Sequence, residues 1–259
     1  MTIILGDCLE ELKKLGDNSI DTVITSPPYN LLGLRGKAIT GDCHTWRQCN
    51  ITYKDDLPEA DYRDWQIAIL DELHRVIKPT GSIFYNHKVR RTGARAHHPW
   101  EIVRGTKAKF YQQIVWDRGS SPNVSKAFLF PSTELIFWFT KEGKKMRPKI
   151  FRSKAEFKKE IWPITPKRTQ LHPASFPDKL VENCINLTTV PGDLVLDPFA
   201  GIGTVGIVAT RLQRDFILID VREDYLQTAV QLIQTITPQV PPLQIQGLPV
   251  PVPQLGTLD

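Results

Sequence analysis

The chain has 259 residues, of which 41% are hydrophobic and 24% charged, a balance ordinary for a soluble globular protein with a sizeable core. No apolar run approaches the length that spans a bilayer, and Met1-Thr2-Ile3-Ile4-Leu5 reaches Asp7 too soon for a signal peptide, so the expected setting is the cytoplasm, with no membrane partner. The net charge of +5 is segregated: residues 86–109 sum to +6 and residues 141–170 to +8, which leaves −9 for the rest and suggests a polyanion partner.

In chain order, short β-rich runs alternate with amphipathic helices, the pattern of an α/β sheet. The predicted strands are Thr2–Leu5, Asp21–Thr25, Gly81–Asn86, Gln113–Asp117, Thr133–Phe139, Leu194–Asp197 and Phe216–Asp220. A helix over Asp61–Lys78 is expected from Trp65, Ile69, Leu73, Val76 and Ile77 on one face, with Pro79-Thr80-Gly81 as its stop. Further helices are expected over Gly203–Leu212 and Glu223–Thr235. Residues 31–56 read as a mobile polar loop, and residues 141–171 as a basic insert interleaved with Phe151, Phe157 and Trp162. Residues 237–259, with six prolines, read as an extended or disordered tail packing loosely on the body. Cys8, Cys43, Cys49 and Cys184 lack metal-ligand spacing; a site at Cys43-His44 with Cys49 would want a fourth ligand, so no metal is expected.

Two stretches carry chemistry. In "LVLDPFAGIGTVGIVA" (194–209) a strand runs into Asp197, then a turn, then a helix, and Gly201, Gly203 and Gly206 match GxGxxG. Asp220 ends the next strand 19 residues after Gly201, where an acid could meet a ribose. A dinucleotide fold is disfavoured because too little chain follows for a second half, and because Asp197 would repel a pyrophosphate at the helix N-terminus. An acid there suits a ligand with a positive centre and no phosphate, such as S-adenosylmethionine. The second stretch is "ITSPPYN" (24–30), in which a strand ends on Ser26-Pro27-Pro28-Tyr29. Two prolines hold a carbonyl direction rigid and supply no competing N–H.

Together these motifs resemble the exocyclic-amino DNA methyltransferases in their permuted β-group order, with the catalytic tetrapeptide first and the cofactor loop last. "GDCLEEL" (6–12), "RVIKPTGSIFYN" (75–86), "QIVWDRG" (113–119), "STELIFWFTK" (132–141) and "HPASFPDKLVENCI" (172–185) resemble further family segments. The resemblance implies an α/β, Rossmann-like seven-stranded mixed sheet with a small target-recognition insert. The catalytic domain would span 1–236, with the insert at 141–171 and the tail at 237–259 outside it. It implies S-adenosyl-L-methionine as cofactor, near Asp7, His172, Pro173, Asp197, Phe199, Gly201, Gly203, Thr204 and Asp220. Ser26 and Pro27 would draw the target amino group towards tetrahedral geometry, Pro28 would stiffen the shelf, and Tyr29 would stack on a flipped base. The expected substrate is double-stranded DNA, contacted by the insert and flanked by the loop at 31–56 and the basic run at 87–109. A restriction endonuclease partner and a homodimer are left open.

Ring-carbon methylation is disfavoured because no Pro-Cys pair occurs. Relatives with Ser first in the tetrapeptide mostly act on cytosine N4 and those with Asp on adenine N6, so Ser26 points to cytosine N4, with adenine N6 as the alternative. RNA or protein-glutamine methylation fits less well, because those enzymes place the cofactor loop first. A catalytically inactive DNA-binding protein on the same fold is the alternative of another class.

Overall fold

The computed structural model describes residues 1–31, 55–92, 95–119, 129–141, 159–166, 176–237 and 241–247. All seven predicted strands are present: β1 (Thr2–Leu5), β2 (Ile20–Thr25), β3 (Ile77–His87), β6 (Lys109–Asp117), β7 (Thr133–Thr140), β9 (Leu194–Asp197) and β10 (Asp215–Asp220). Two short strands add to them, β8 (Ile161–Pro163) and β11 (Ile245–Gln246), giving one nine-stranded sheet in the order β11-β1-β10-β9-β2-β3-β7-β6-β8. Among these strands β7 alone runs against the rest. A small hairpin, β4 (Arg90–Thr92) with β5 (Arg95–His97), follows β3.

Helices cover both faces, as a sheet buried on both sides requires. On one face lie α1 (Cys8–Lys14), α2 (Glu59–Val76) and the single turn α3 (Trp100–Val103); on the other lie α4 (Asp178–Thr188), α5 (Thr204–Arg211) and α6 (Glu223–Ile236). The sheet divides two cores. Leu12, Tyr62, Ile69, Leu73 and Ile83 belong to one, and Phe84, Leu180, Cys184, Val205 and Leu226 to the other. Every residue of β2 is buried, which marks it as a central strand.

Three expectations change. Helix α2 ends at Val76, and β3 begins at once on Ile77; Pro79-Thr80-Gly81 lies inside the strand as an irregularity in its pairing with β2. Pro79 does not stop the helix because the chain has already turned extended at Ile77 (ψ 145°). Trp162 of the basic insert is not a surface aromatic. It is 4% exposed, in the core beside Trp116, because Ile161–Pro163 pairs with β6. The tail is not wholly loose: Ile245–Gln246 pairs with β1, and Leu243 and Ile245 pack on the core. Positions 142–158 and 167–171 of the insert, with Phe151 and Phe157, and positions 238–240 and 248–259 of the tail lie outside the described residues, as do positions 32–54 of the polar loop with Cys43, His44 and Cys49. Among the described residues no helix is long and apolar enough to cross a membrane, and no cluster of metal-ligand side chains occurs.

The chain order places a switch point. From β9 the chain passes through α5 to β10 on one side; from β2 it passes through α2 to β3 on the other. Because β9 and β2 are neighbours, the crossovers diverge and leave a crevice at the carboxyl ends of these two strands, where open α/β sheets bind ligands.

Candidate active site

The two motifs meet at that crevice. Thr25, last residue of β2, donates its hydroxyl to Asp197 Oδ1 at 3.0 Å, and Asp197 is the last residue of β9. The Ser26-Pro27-Pro28-Tyr29 segment and the glycine loop are thus joined by a buried hydrogen bond across adjacent strands. Phe199 N also donates to Asp197 Oδ1, at 3.1 Å. Burial, reinforced by the charge of Asp220, pushes the Asp197 carboxyl up to about 7 against the pull of these two donors.

The loop after β9 is built around Asp220. Its Oδ2 accepts from Gly201 N at 2.8 Å and its Oδ1 from Arg222 N at 2.9 Å. Gly201 and Gly203 have φ of 51° and 78°, the left-handed region that glycine enters without strain. A Cβ on Gly203 would lie 2.6 Å from that of Ala229, so the second glycine also lets α6 pack close. Thr204 opens α5 and is buried, and Phe199, half-buried, sets its ring edge-on to Trp65 at 5.9 Å. Asp7 follows β1 on the same edge of the sheet, where Gly6 N bonds Asp220 O at 2.9 Å. Asp7 Oδ1 caps α1, accepting from Leu9 N and Glu10 N. His172 and Pro173 lie outside the described residues. The acceptor set is therefore three carboxyl groups, Asp7, Asp197 and Asp220, at the carboxyl ends of three strands around a glycine turn, with backbone able to approach closely. That set fits a cation bearing hydroxyls and fits a phosphate badly.

On the other side of the crevice, Ser26 and Tyr29 form a pair, Oγ to Oη at 2.7 Å. Tyr29 Oη also accepts from Asn86 Nδ2 at 2.6 Å and lies 3.4 Å from Glu134 Oε2, towards which it donates. Asn86 Nδ2 donates to the same Glu134 oxygen at 2.9 Å, and Arg118 pairs with the other at 2.8 Å. Burial first, then the Glu134 charge, raises the Tyr29 phenol well above its ordinary range, so it stays protonated. Its ring leans on His87, centroids 4.8 Å apart, with Lys88 Nζ 5.2 Å from the ring centre.

Pro28 is held from below. Tyr62 of α2 donates to the Pro28 carbonyl at 2.8 Å, and the same hydroxyl lies 2.8 Å from His87 Nε2. Burial, helped by Arg90, pushes His87 down to about 3, so the ring is neutral, with Nδ1 2.8 Å from Lys88 O. Arg90 stacks on Tyr62 and pairs with Glu59. Asn30, with φ 53°, closes the platform by bonding both the N–H and the C=O of Leu57 at 2.8 Å. The basic run at 87–109 therefore divides. Arg90 is 4% exposed and structural, while Arg91 and Arg95 on the hairpin and Arg104, Lys107 and Lys109 beyond it are exposed.

Sequence reasoning did not single out Tyr62, Asn86, His87, Arg118 or Glu134. The available signal was polar residues at the ends of otherwise apolar strands: Asn86-His87 closing β3 and Glu134 opening β7. Because β7 is antiparallel, its first residues lie on the same edge as the last residues of β3, with Asn86 opposite Ile136.

The sequence pattern that defines the N6/N4 DNA methylases matches residues 20–231. The chain belongs to this DNA methylase family. A type II methyltransferase of Bacillus subtilis, M.BglII, is 30% identical over 88% of this chain and 67% of its own length. The DNA adenine methyltransferase YhdJ of Escherichia coli K12 is 28% identical over 89% of this chain and 81% of its own. Among solved structures, the PvuII cytosine-N4-specific DNA methyltransferase superposes with a TM-score of 0.68 at 24% identity, covering 87% of this chain and 83% of that one. A DNA modification methylase of Thermus thermophilus, solved with S-adenosyl-L-methionine, superposes at 0.66 with 22% identity over 94% and 98%. Both share the Rossmann-like fold with this chain.

Proposed function

We propose that this DNA methylase transfers a methyl group from S-adenosyl-L-methionine to the exocyclic N4 of a cytosine flipped out of double-stranded DNA. The observation that carries this reading is the Thr25–Asp197 hydrogen bond, which sets an acceptor platform that begins with Ser26 beside a glycine loop lined with acids. The cofactor brings an activated methyl group on a sulfonium. Asp197 would face its positive end, Asp220 and Asp7 its hydroxyl-bearing nucleoside, and Gly201, Gly203 and Thr204 would let the backbone close on it, with Phe199 alongside.

The chain's own task is then positional. A nucleobase amino nitrogen is a poor nucleophile because its lone pair is delocalised. Ser26 Oγ and the Pro27 carbonyl accept from its two N–H bonds and turn that lone pair out of the ring plane. Tyr62 and the two prolines keep the shelf from yielding, and Tyr29 gives the flipped base a wall. Exposed arginines of the hairpin, with the basic insert, would meet DNA phosphates. By analogy with type II relatives, a restriction endonuclease of the same specificity is a candidate partner.

The test is direct. The protein is incubated with S-adenosylmethionine and unmethylated genomic DNA, the DNA is digested to nucleosides, and the products are identified by mass spectrometry. N4-methylcytosine is expected. N6-methyladenine, the second reading favoured by the similarity to an adenine methyltransferase, would overturn the choice of base, and no methylated base would overturn the enzyme assignment. Ser26→Ala should keep cofactor binding and lose most transfer.

A further inference from the structure

We infer that Glu134 is a positioning residue that fixes the direction of the hydrogen bonds at Ser26, and so restricts the site to bases that present an amino group. The inference rests on the reading that Ser26 faces the reacting nitrogen, and it adds a residue that reading does not contain.

Hydrogen counting supports it. Glu134 is 7% exposed and pairs through Oε1 with Arg118 at 2.8 Å. Its carboxylate only accepts, so it dictates the polarity of its neighbours. Asn86 must turn its NH₂ towards Glu134 Oε2, at 2.9 Å, and that NH₂ also donates to Tyr29 Oη at 2.6 Å. The turn has a visible cost: Asn86 Oδ1 is buried with no hydrogen-bond partner among the described residues. Flipping the amide would set that oxygen against the carboxylate, so Glu134 is what holds it.

Tyr29 Oη then has one accepted bond and one proton to place. The anion at Glu134 Oε2, 3.4 Å away, draws that proton towards itself, and Ser26 Oγ, 2.7 Å away, becomes the donor to Tyr29. The single proton of Ser26 thus points inward along the chain Ser26→Tyr29→Glu134. Both lone pairs of Ser26 Oγ are left for the crevice. A serine held this way accepts from an amino group and has no proton for a keto oxygen. Cytosine N4 and adenine N6 satisfy it; thymine O4 and guanine O6 leave facing acceptors unpaired. A free serine hydroxyl would rotate to suit either.

The experiment is a double-mutant cycle on initial rates of methyl transfer into unmethylated genomic DNA. Glu134→Gln keeps the shape but replaces the anion by a neutral amide, which frees Asn86 and Tyr29 to reorient and no longer fixes the direction of the Ser26 proton. Its rate should fall about 10- to 100-fold, the loss expected when one preset hydrogen bond to the reacting group is misdirected. Cofactor affinity, read by calorimetry, should stay within about twofold. Because Glu134 acts through Ser26, Ser26→Ala and Ser26→Ala/Glu134→Gln should be equally slow. A wild-type rate in Glu134→Gln, or losses that multiply in the double variant, would overturn the inference. Should Glu134→Gln fold poorly, Tyr29→Phe cuts the same chain without touching Arg118 and should show the same non-additivity with Ser26→Ala. Retained transfer in Ser26→Ala would instead sink the role given to Ser26 itself. Once the methylated position is mapped, a duplex carrying thymine there should bind wild type more weakly than the cognate duplex, and Glu134→Gln should narrow that gap.

Discussion

Replacing Asp197 by asparagine should make the ligand-free protein more stable at pH 8 while abolishing its binding of the methyl donor. Burial holds the carboxyl at about 7 in the folded chain against 3.8 for the free group. A shift of about three pH units, at about 1.4 kcal/mol each, sets an upper bound of about 4 kcal/mol. The sign follows from proton binding. Between pH 4 and 7 the folded chain holds this proton more tightly than the unfolded chain, so its contribution is fully present below about pH 4 and is lost as pH rises through 7. Asparagine cannot ionise, and its oxygen can still accept from Thr25 and Phe199, the two donors to Asp197 Oδ1. If half the bound survives relaxation, the variant gains about 2 kcal/mol at pH 8, or a melting temperature about 4–8 °C higher, and gains nothing at pH 4. His87 works in the opposite sense. Its folded value of about 3 against 6.5 means that stability from its neutral form is lost as pH falls below 6.5. Between pH 4 and 6.5 the two groups offset each other, so the variant should show the His87 slope uncovered. Thermal melts from pH 4 to 8, with calorimetry for the methyl donor, measure all of this. An Asp197→Asn protein less stable than wild type at pH 8 would refute the reasoning.

Tyr62→Phe removes the hydroxyl that holds the Pro28 carbonyl; it should cost about 1–3 kcal/mol in urea unfolding and lower the transfer rate without changing methyl-donor affinity. Gly203→Ala meets both a φ of 78° and the Ala229 Cβ at 2.6 Å, so it should destabilise by about 2–4 kcal/mol in the same assay, whether or not ligand is present. Arg91→Ala and Arg95→Ala, on the exposed hairpin, should weaken DNA binding for all sequences alike, and each should flatten the plot of log affinity against log salt by about one unit for every phosphate that the arginine neutralises.

The sheet was legible because its central strands are short β-rich segments: "IDTVIT", with its β-branched Ile, Thr and Val, and the apolar "LVL" before Asp197 need no tertiary information to be seen. Motif order placed the crevice, since Ser-Pro-Pro-Tyr after one strand and Asp-Pro-Phe after another put both at strand ends. The short edge strands were not legible. Ile161–Pro163 and Ile245–Gln246 are strands only because β6 and β1 offer unpaired edges beside them, and sequence periodicity carries no record of a neighbour's edge. The network behind Ser26 was hidden for a related reason. Glu134, Asn86 and Arg118 come from separate segments of the chain, and each taken singly is an ordinary polar residue near a strand end. Their meeting depends on β7 running antiparallel, which reverses which end of that strand faces the site. Asp220 stood out in the sequence as an acid able to meet a ribose, whereas its acceptance from the Gly201 and Arg222 amides, which shapes the loop, did not.

The two sides of the crevice differ in electrostatic character, and the difference fits a reaction whose donor arrives already activated. On the acceptor side charge is neutralised: Glu134 has Arg118 and two hydrogen-bond donors, His87 is kept neutral, and Arg90 is matched by Glu59. The charges there are matched before any ligand arrives, as suits a platform whose value lies in holding a direction. On the cofactor side burial, reinforced by the charge of Asp220, pushes the Asp197 carboxyl up. A positive ligand would relieve that cost, so part of its affinity comes from strain already present in the free protein. The bond from Thr25 to Asp197 joins these halves, so the strained carboxylate is one hydrogen bond and one residue away from Ser26. A shift at Asp197 on ligand binding therefore has a short, buried route to Ser26, the residue we propose faces the base.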